Sequence, residues 1–123
     1  MGIFDKITKP QDDTEKFMHE VEEFLIQGEE VENIYRQVID YLCITNKRVI
    51  FVDKDLSIKD PTVTIHSVPF KNIVSIGFEK NSKPAAMTDV LSITTINTVY
   101  QIKFTRAITD SKVVYNQLAG KII

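Results

Sequence analysis

Two histidines, His19 and His66, one cysteine, Cys43, and the neighbours Ser67, Glu22 and Glu23 are the side chains here with the chemistry for acid–base, nucleophilic or metal work. Their spacing argues against each use. His66 and Ser67 are adjacent in a strand-like stretch, and adjacent strand residues point to opposite faces, so they cannot act as base and nucleophile. Glu22 and Glu23 are neighbours on a helical stretch and diverge, so they cannot share a proton or a substrate. His19 lies on that same acidic helix, away from any second ligand, and reads as a surface histidine. Cys43 sits in an apolar run and reads as a small buried hydrophobe rather than a reactive thiol, which would need an electropositive, partly open setting. CxxC, HExxH and GxSxG patterns are missing, and the four glycines are scattered singly rather than gathered into a phosphate loop. The sequence therefore gives no catalytic residues, no cofactor-binding residues and no metal ligands, and the expectation is a protein that is not an enzyme and needs no cofactor.

The remaining candidate for chemistry is basic. In "YLCITNKRVIFVDKD", residues 41–55, two apolar runs flank Thr45-Asn46-Lys47-Arg48. The first reading is a turn: Asn46 supplies a left-handed conformation, Thr45 a local hydroxyl contact, and Lys47 and Arg48 keep it wet. The second reading is a lipid site, in which Lys47, Arg48, Lys54, Lys59 and Lys71 face anionic phospholipid and Ile3, Phe4 and Ile7 insert. These lysines are dispersed among acids, and each surface cation near anionic lipid contributes only about 1 kcal/mol.

The elements that must position these residues follow from periodicity. Residues 12–28 read as a helix, with Phe17, Met18, Val21, Phe24 and Leu25 on one face, Asp13 or Thr14 as cap and Gly28 as stop. From residue 31 the period changes to two. Strands are expected over 31–38, 41–45, 48–53, 62–70 (closed by Pro69) and 72–80. A loop containing Pro84 follows, and then a hairpin, 90–96 and 99–105, turning at Asn97-Thr98 on a positive φ. Residues 109–120 read as a second helix, capped by Thr109 or Asp110, with Val113, Val114, Tyr115 and Leu118 inward and Gly120 ending it. The order is helix, seven short antiparallel strands over 31–105, helix: a mainly β (α+β) sandwich or partly open barrel closed by its last helix, forming one domain over 1–123.

Both faces of strands 41–45 and 48–53 are apolar, although one face of an antiparallel sheet usually meets water. The second face must be covered by the N-terminal helix or by another subunit. The strand faces exceed what one small sandwich and two helices can shelter, so a homo-oligomer is expected. Charge is uneven too: residues 1–32 carry net −7 and residues 33–123 net +5, within a total of −2. Either the acidic segment is simply solvated, or it docks on basic residues of its own or a neighbouring subunit. The near-neutral total argues against a nucleic-acid partner. No apolar run approaches the roughly 18 residues that span a bilayer, the start lacks a secretory leader's basic and apolar regions, and Lys6 spoils the acylation pattern at Gly2. With its lone cysteine, the chain is expected in the cytoplasm.

"DYLCITNKRVIFVDKD" and "IHSVPFKNIVSIGFE", followed by a hairpin and a terminal helix, resemble the bacterial pleckstrin-homology-like (PH-like) domain family. Asp40, Thr45-Asn46-Lys47-Arg48, Asp53, Pro69-Phe70 and Ile73 carry the resemblance, which runs from about Glu20 to Leu118 and is weakest over 80–91. It implies a PH-like fold of two antiparallel sheets with seven strands, a C-terminal capping helix and an extra N-terminal helix. It also implies a family without a defined enzymatic activity, whose members form ring-shaped homo-oligomers through strand edges. Eukaryotic relatives hold phosphoinositides on a long basic loop between the first two strands. Here that connection is the short, acidic Ile39-Asp40-Tyr41, so no lipid-binding residue carries over. The expected function is a non-catalytic self-assembling scaffold or protein-interaction module. The alternative is a peripheral membrane module binding anionic phospholipid.

Overall fold

The computed structural model describes residues 14–80, 82–83 and 87–123. Asp13, Pro84 and the apolar Ile3, Phe4 and Ile7 lie outside the described residues. Helix α1 (Thr14–Val21) leads through a 3-10 turn (Glu22–Phe24) to strands β1 (Val31–Arg36), β2 (Tyr41–Thr45), β3 (Arg48–Asp55) and β4 (Thr62–Pro69). A second 3-10 turn (Phe70–Asn72) precedes β5 (Ser75–Glu79), β6 (Thr88–Thr94) and β7 (Val99–Thr105), and helix α2 (Ser111–Ile122) closes the chain. The strands pair antiparallel in two sheets, ordered β1-β2-β3-β4 and β5-β6-β7.

The period of two places alternate side chains on opposite faces and so builds two cores. Leu42, Ile44, Val49 and Phe51 face inward, meeting Leu91, Ile93, Ile102 and Phe104 of the second sheet and Val114 and Leu118 of α2. Tyr41, Cys43, Ile50 and Val52 face the other way, onto Phe17 and Val21 of α1. All five β2 residues and Val49–Val52 are buried. The expectation that these faces exceed what one chain can shelter is corrected: α1, small as it is, covers the outer face, because Phe17 stacks on Tyr41 at 4.6 Å and Val21 fills the space beside it.

Several local expectations shift. The regular helix stops at Val21 rather than reaching Gly28; Phe24 is exposed and Leu25 only half-buried. Gly28 does adopt a positive φ of 79°, but in the turn that enters β1. Asn46 and Asn97 do not, since no described non-glycine residue has a positive φ. Asn46 works through its side chain instead, accepting from Glu30 N–H at 2.8 Å and donating to the Gly28 carbonyl at 3.0 Å. The last hairpin turns at Ile96-Asn97, closed by Thr95 N–H donating to the Thr98 carbonyl. Asp110 caps α2 by accepting from Lys112 N–H, Val113 points to solvent, and the helix passes Gly120 to reach Ile122. The seven strands, their order and the presence of a helix on either side of them stand as expected.

Candidate functional site

Arg48, read from sequence as a solvated turn cation, is instead the centre of a buried network. Its Nε and Nη2 donate to the Glu29 carboxylate at 2.8 and 2.9 Å, its Nη1 donates to Ser67 Oγ at 2.9 Å, and Nη2 also reaches the Phe24 carbonyl at 2.7 Å. The Glu29 side chain has no exposed area. It also accepts from the Thr45 hydroxyl at 2.7 Å and from Ile26 N–H at 3.0 Å. Burial works to raise the Glu29 pKa, but the bonds from Arg48, Thr45 and Ile26 and the Arg48 charge outweigh it, holding the carboxyl below its ordinary value. The Thr45 hydroxyl accepts in turn from Lys47 and Arg48 N–H, closing the β2–β3 turn. The turn is thus a clamp that ties the 22–30 segment to the sheet, and Arg48 is spent on it.

A second clamp holds α1. Lys54 Nζ pairs with Glu20 at 2.9 Å while lying 5.1 Å from the Phe17 ring centroid and 5.3 Å from that of Tyr41. The Tyr41 hydroxyl donates to Glu20 at 2.6 Å. That bond first, with the Lys54 bond and charge behind it, lowers the Glu20 pKa against the opposing effect of burial, whereas burial first and the Glu20 bond second push the Tyr41 hydroxyl strongly up. A third pair joins Glu32 to Lys121 of α2. Of the two readings of the charge asymmetry, docking on the chain's own cations is what Glu20, Glu29 and Glu32 do. Lys47, Lys59 and Lys71 remain exposed, Lys59 at the β3–β4 tip and Lys47 and Lys71 at the opposite end of those strands.

The residues first considered for catalysis are not brought together. His19 is exposed on α1 and Glu22 and Glu23 on the turn after it. Cys43 is buried, and burial, with the Glu29 charge behind it, pushes its thiol up to about 12. Ser67 sits on the α1 side with Arg48, while His66 faces the other side and meets Tyr100, a 2.7 Å hydrogen bond joining Nε2 to the hydroxyl. Among the described residues, no three His, Cys, Asp or Glu side chains converge as a metal site would require.

That His66–Tyr100 bond spans a cleft the sequence did not reveal. It runs between β4 and β7, where the two sheets part. Phe51 stacks on Tyr100 at 5.3 Å, and His66 lies 5.2 Å from the same ring. On one side of this bridge is a hollow of about 440 Å³ lined by Gln37, Asp40, Phe51, Asp53, His66, Val99, Tyr100, Gln101 and Ile102. Asp53 faces it with its pKa pushed up, by burial first and then by the Asp40 charge, with His66 opposing. On the other side is a hollow of about 510 Å³ that includes Lys71, Asn72, Ile96 and Asn97. The only sequence signal was that Phe51 and Asp53 share a strand face; Tyr100 arrives from the other sheet.

The outer edge of β4 borders this cleft. Thr62–Pro69 pairs with β3 without a register shift, and no described strand lies on its other side. The other three edge strands, β1, β5 and β7, carry side-chain contacts of their own. Strand β1 carries a bulge between Val31 and Asn33, with Gln117 and Lys121 of α2 bonded to its Glu32. The inner core sets α2 against the second sheet beside β5, bringing Tyr115 to 5.8 Å from Phe78. The Gln37 side chain donates to the Lys103 carbonyl of β7 at 3.1 Å.

Comparison with known proteins places this geometry. Residues 2–119 match the family described as Bacterial PH domain. An uncharacterised protein of Bacillus subtilis, YozO, is 30% identical over 106 residues, covering 86% of this chain and 85% of its own. A pleckstrin homology domain from Shewanella amazonensis superposes with a TM-score of 0.76 at 26% identity, covering 90% of this chain and 89% of that one. A DUF1696 family protein with a pleckstrin-homology domain from Shewanella loihica gives 0.75 at 22% identity, covering 89% and 92%. The two-sheet sandwich capped by α2, the order of its strands and the match over nearly its whole length agree: the chain belongs to the bacterial PH domain family.

Proposed function

We propose that this protein is a non-catalytic scaffold or interaction module of the cytoplasm that assembles with copies of itself through strand edges, and that β4 is the edge it uses. The observation that carries this reading is β4 itself. Its eight residues, TVTIHSVP, hold five β-branched side chains, no lysine or arginine, no bulge and no proline before the last position. Sheet proteins ordinarily blunt such an edge with charge, proline, a bulge or a cover, because its unpaired N–H and C=O groups template pairing with another chain. Identical subunits joined head to tail close into a ring or grow without limit, and closure keeps the assembly finite. Light scattering on a sizing column, at micromolar protein and physiological salt, tests this. A multimeric mass is expected, and a monomer mass refutes it.

The second reading, a peripheral module on anionic phospholipid, draws on the β3–β4 tip, where Leu56 is 64% exposed and Ile58 fully so, beside Lys59. Asp55 and Asp60 flank the same tip, and Arg48 and Lys54 are held in ion pairs. At about 1 kcal/mol per cation near the surface, one lysine among acids gives little attraction. Co-sedimentation with anionic vesicles separates the readings. Little binding at physiological salt is expected, and strong binding abolished by Lys59→Glu with Ile58→Ser would establish the membrane reading instead.

A further inference from the structure

We infer that the hollow between the end of β4 and the β6–β7 turn binds a small organic acid, a carboxylate carried on an apolar body. The site goes beyond the assembly proposed above and does not rest on it, because its donors stand past the last residue of β4 and on the β6–β7 turn. The His66–Tyr100 bridge divides the cleft into halves of opposite character. The half beyond the bridge holds Asp40 and Asp53, whereas this half, about 510 Å³, has Lys71 and no aspartate or glutamate in its lining. A hollow of that size accommodates a small ligand. Among the described residues, no hydrogen bond or ion pair engages the side chains of Lys71 and Asn72, which both line it. Asn97 is turned so that its Oδ1 accepts from the Thr95 and Thr98 hydroxyls, at 3.3 Å each, which leaves its Nδ2 donors for a ligand. A lysine ammonium and two carboxamide groups suit a carboxylate, which only accepts and does so through two oxygens. One lysine also balances one negative charge, whereas a phosphate ester, at about −1.5 to −2 near neutral pH, would be left partly uncompensated. The same hollow offers apolar surface: Val74 is 63% exposed and Ile96 92% exposed in its lining, and an apolar body laid on them takes that surface out of water.

Hexanoate is the probe, titrated into the full chain and read by saturation-transfer difference NMR, which detects the ligand's own protons and works on a monomer or a multimer. Saturable binding in the millimolar range is expected. Hexanol, the body without the charge, and acetate, the charge without the body, should each bind about tenfold more weakly or worse. Lys71→Gln is expected to raise the hexanoate Kd about tenfold, and Ile96→Ser to raise it as well. Lys59→Gln, the same change at the β3–β4 tip, should leave it unchanged. Circular dichroism checks that the variants are folded. The inference is overturned if hexanoate gives no saturable signal, if hexanol binds as tightly, or if Lys71→Gln binds as wild type does. Assembly is read separately, by light scattering. A monomer that binds hexanoate through Lys71 refutes the β4 reading and supports this site, and a multimer that does not bind it does the reverse.

Discussion

Replacing Arg48 with Met removes a cation from a carboxylate that has nowhere else to turn. Glu29 has no exposed side-chain area, and Arg48 supplies two of its four hydrogen bonds. Breaking a buried pair from one side costs about 3–5 kcal/mol, because the remaining charge is left desolvated. Arg48 is 19% exposed, so water reaches the gap and the lower end, about 3 kcal/mol, is expected. That is a large share of the roughly 5–15 kcal/mol that holds a domain together. The pH dependence is the sharper test. In the wild type the Glu29 pKa lies below its ordinary 4.5, so its contribution is fully present above that value and lost as pH falls through the folded pKa. In Arg48→Met the guanidinium bonds and charge are gone and only the Thr45 and Ile26 bonds oppose burial, so the folded pKa is expected to rise from its wild-type value. The orphaned carboxylate then destabilises at neutral pH and is relieved by protonation as pH falls. Urea titrations at pH 7 and pH 4 should therefore show a gap between wild type and variant that narrows at pH 4. Glu29→Gln added to Arg48→Met should recover part of the loss at pH 7. A loss below about 1 kcal/mol at pH 7, against the scale expected for a buried pair, or a gap that does not change with pH, would refute the clamp.

Phe51→Ala should cost about 3–5 kcal/mol, since the ring is 8% exposed and stacks on Tyr100; a loss under about 1 kcal/mol in urea would place the ring outside the core. Phe17→Ala should cost a similar amount, about 3–5 kcal/mol, and the exchange protection of Cys43 and Ile50 amides should fall with it, because α1 is their cover; unchanged protection would contradict that role. Native protein at pH 8 should not react with a thiol-specific disulfide reagent until urea unfolds it, because the Cys43 thiol is buried and pushed up to about 12; rapid native labelling would refute this. Ionised Asp53 works against the fold, since its folded pKa is raised, so Asp53→Asn should leave the urea midpoint at pH 7 unchanged or higher. A clear drop would mean Asp53 has a stabilising partner.

Periodicity made the architecture legible. The alternation from Val31 to Thr105 marked seven strands, and the doubly apolar runs at 41–45 and 49–52 required a cover, which α1 supplies. How little cover is needed was not legible: two aromatic rings and Val21 close the outer face, and that depends on the Phe17–Tyr41 stack, a contact between residues 24 positions apart. The TNKR turn and its Thr45 hydroxyl contact were legible, but Arg48 was misread as solvated because a turn propensity is local, whereas its partner, Glu29, lies 19 residues earlier in a segment read as helix end. The cleft depends on Tyr100 crossing from the second sheet to His66, 34 residues away, which no strand pattern encodes. The β4 edge was half visible. The sequence showed a β-branched stretch without charges, but only the strand order shows that no described neighbour covers it.

Whether β4 joins copies of this chain is most directly tested by putting a charge on it and measuring mass. Val63 is 61% exposed on β4, and a lysine there blunts an edge without entering either core. Asn116→Lys, on the exposed face of α2, adds the same charge elsewhere. By light scattering on a sizing column, wild type and Asn116→Lys should elute as a multimer. Val63→Lys should fall to the 14.1 kDa monomer while keeping the wild-type circular dichroism spectrum. Wild type at the monomer mass, or Val63→Lys holding the wild-type mass, would contradict the account.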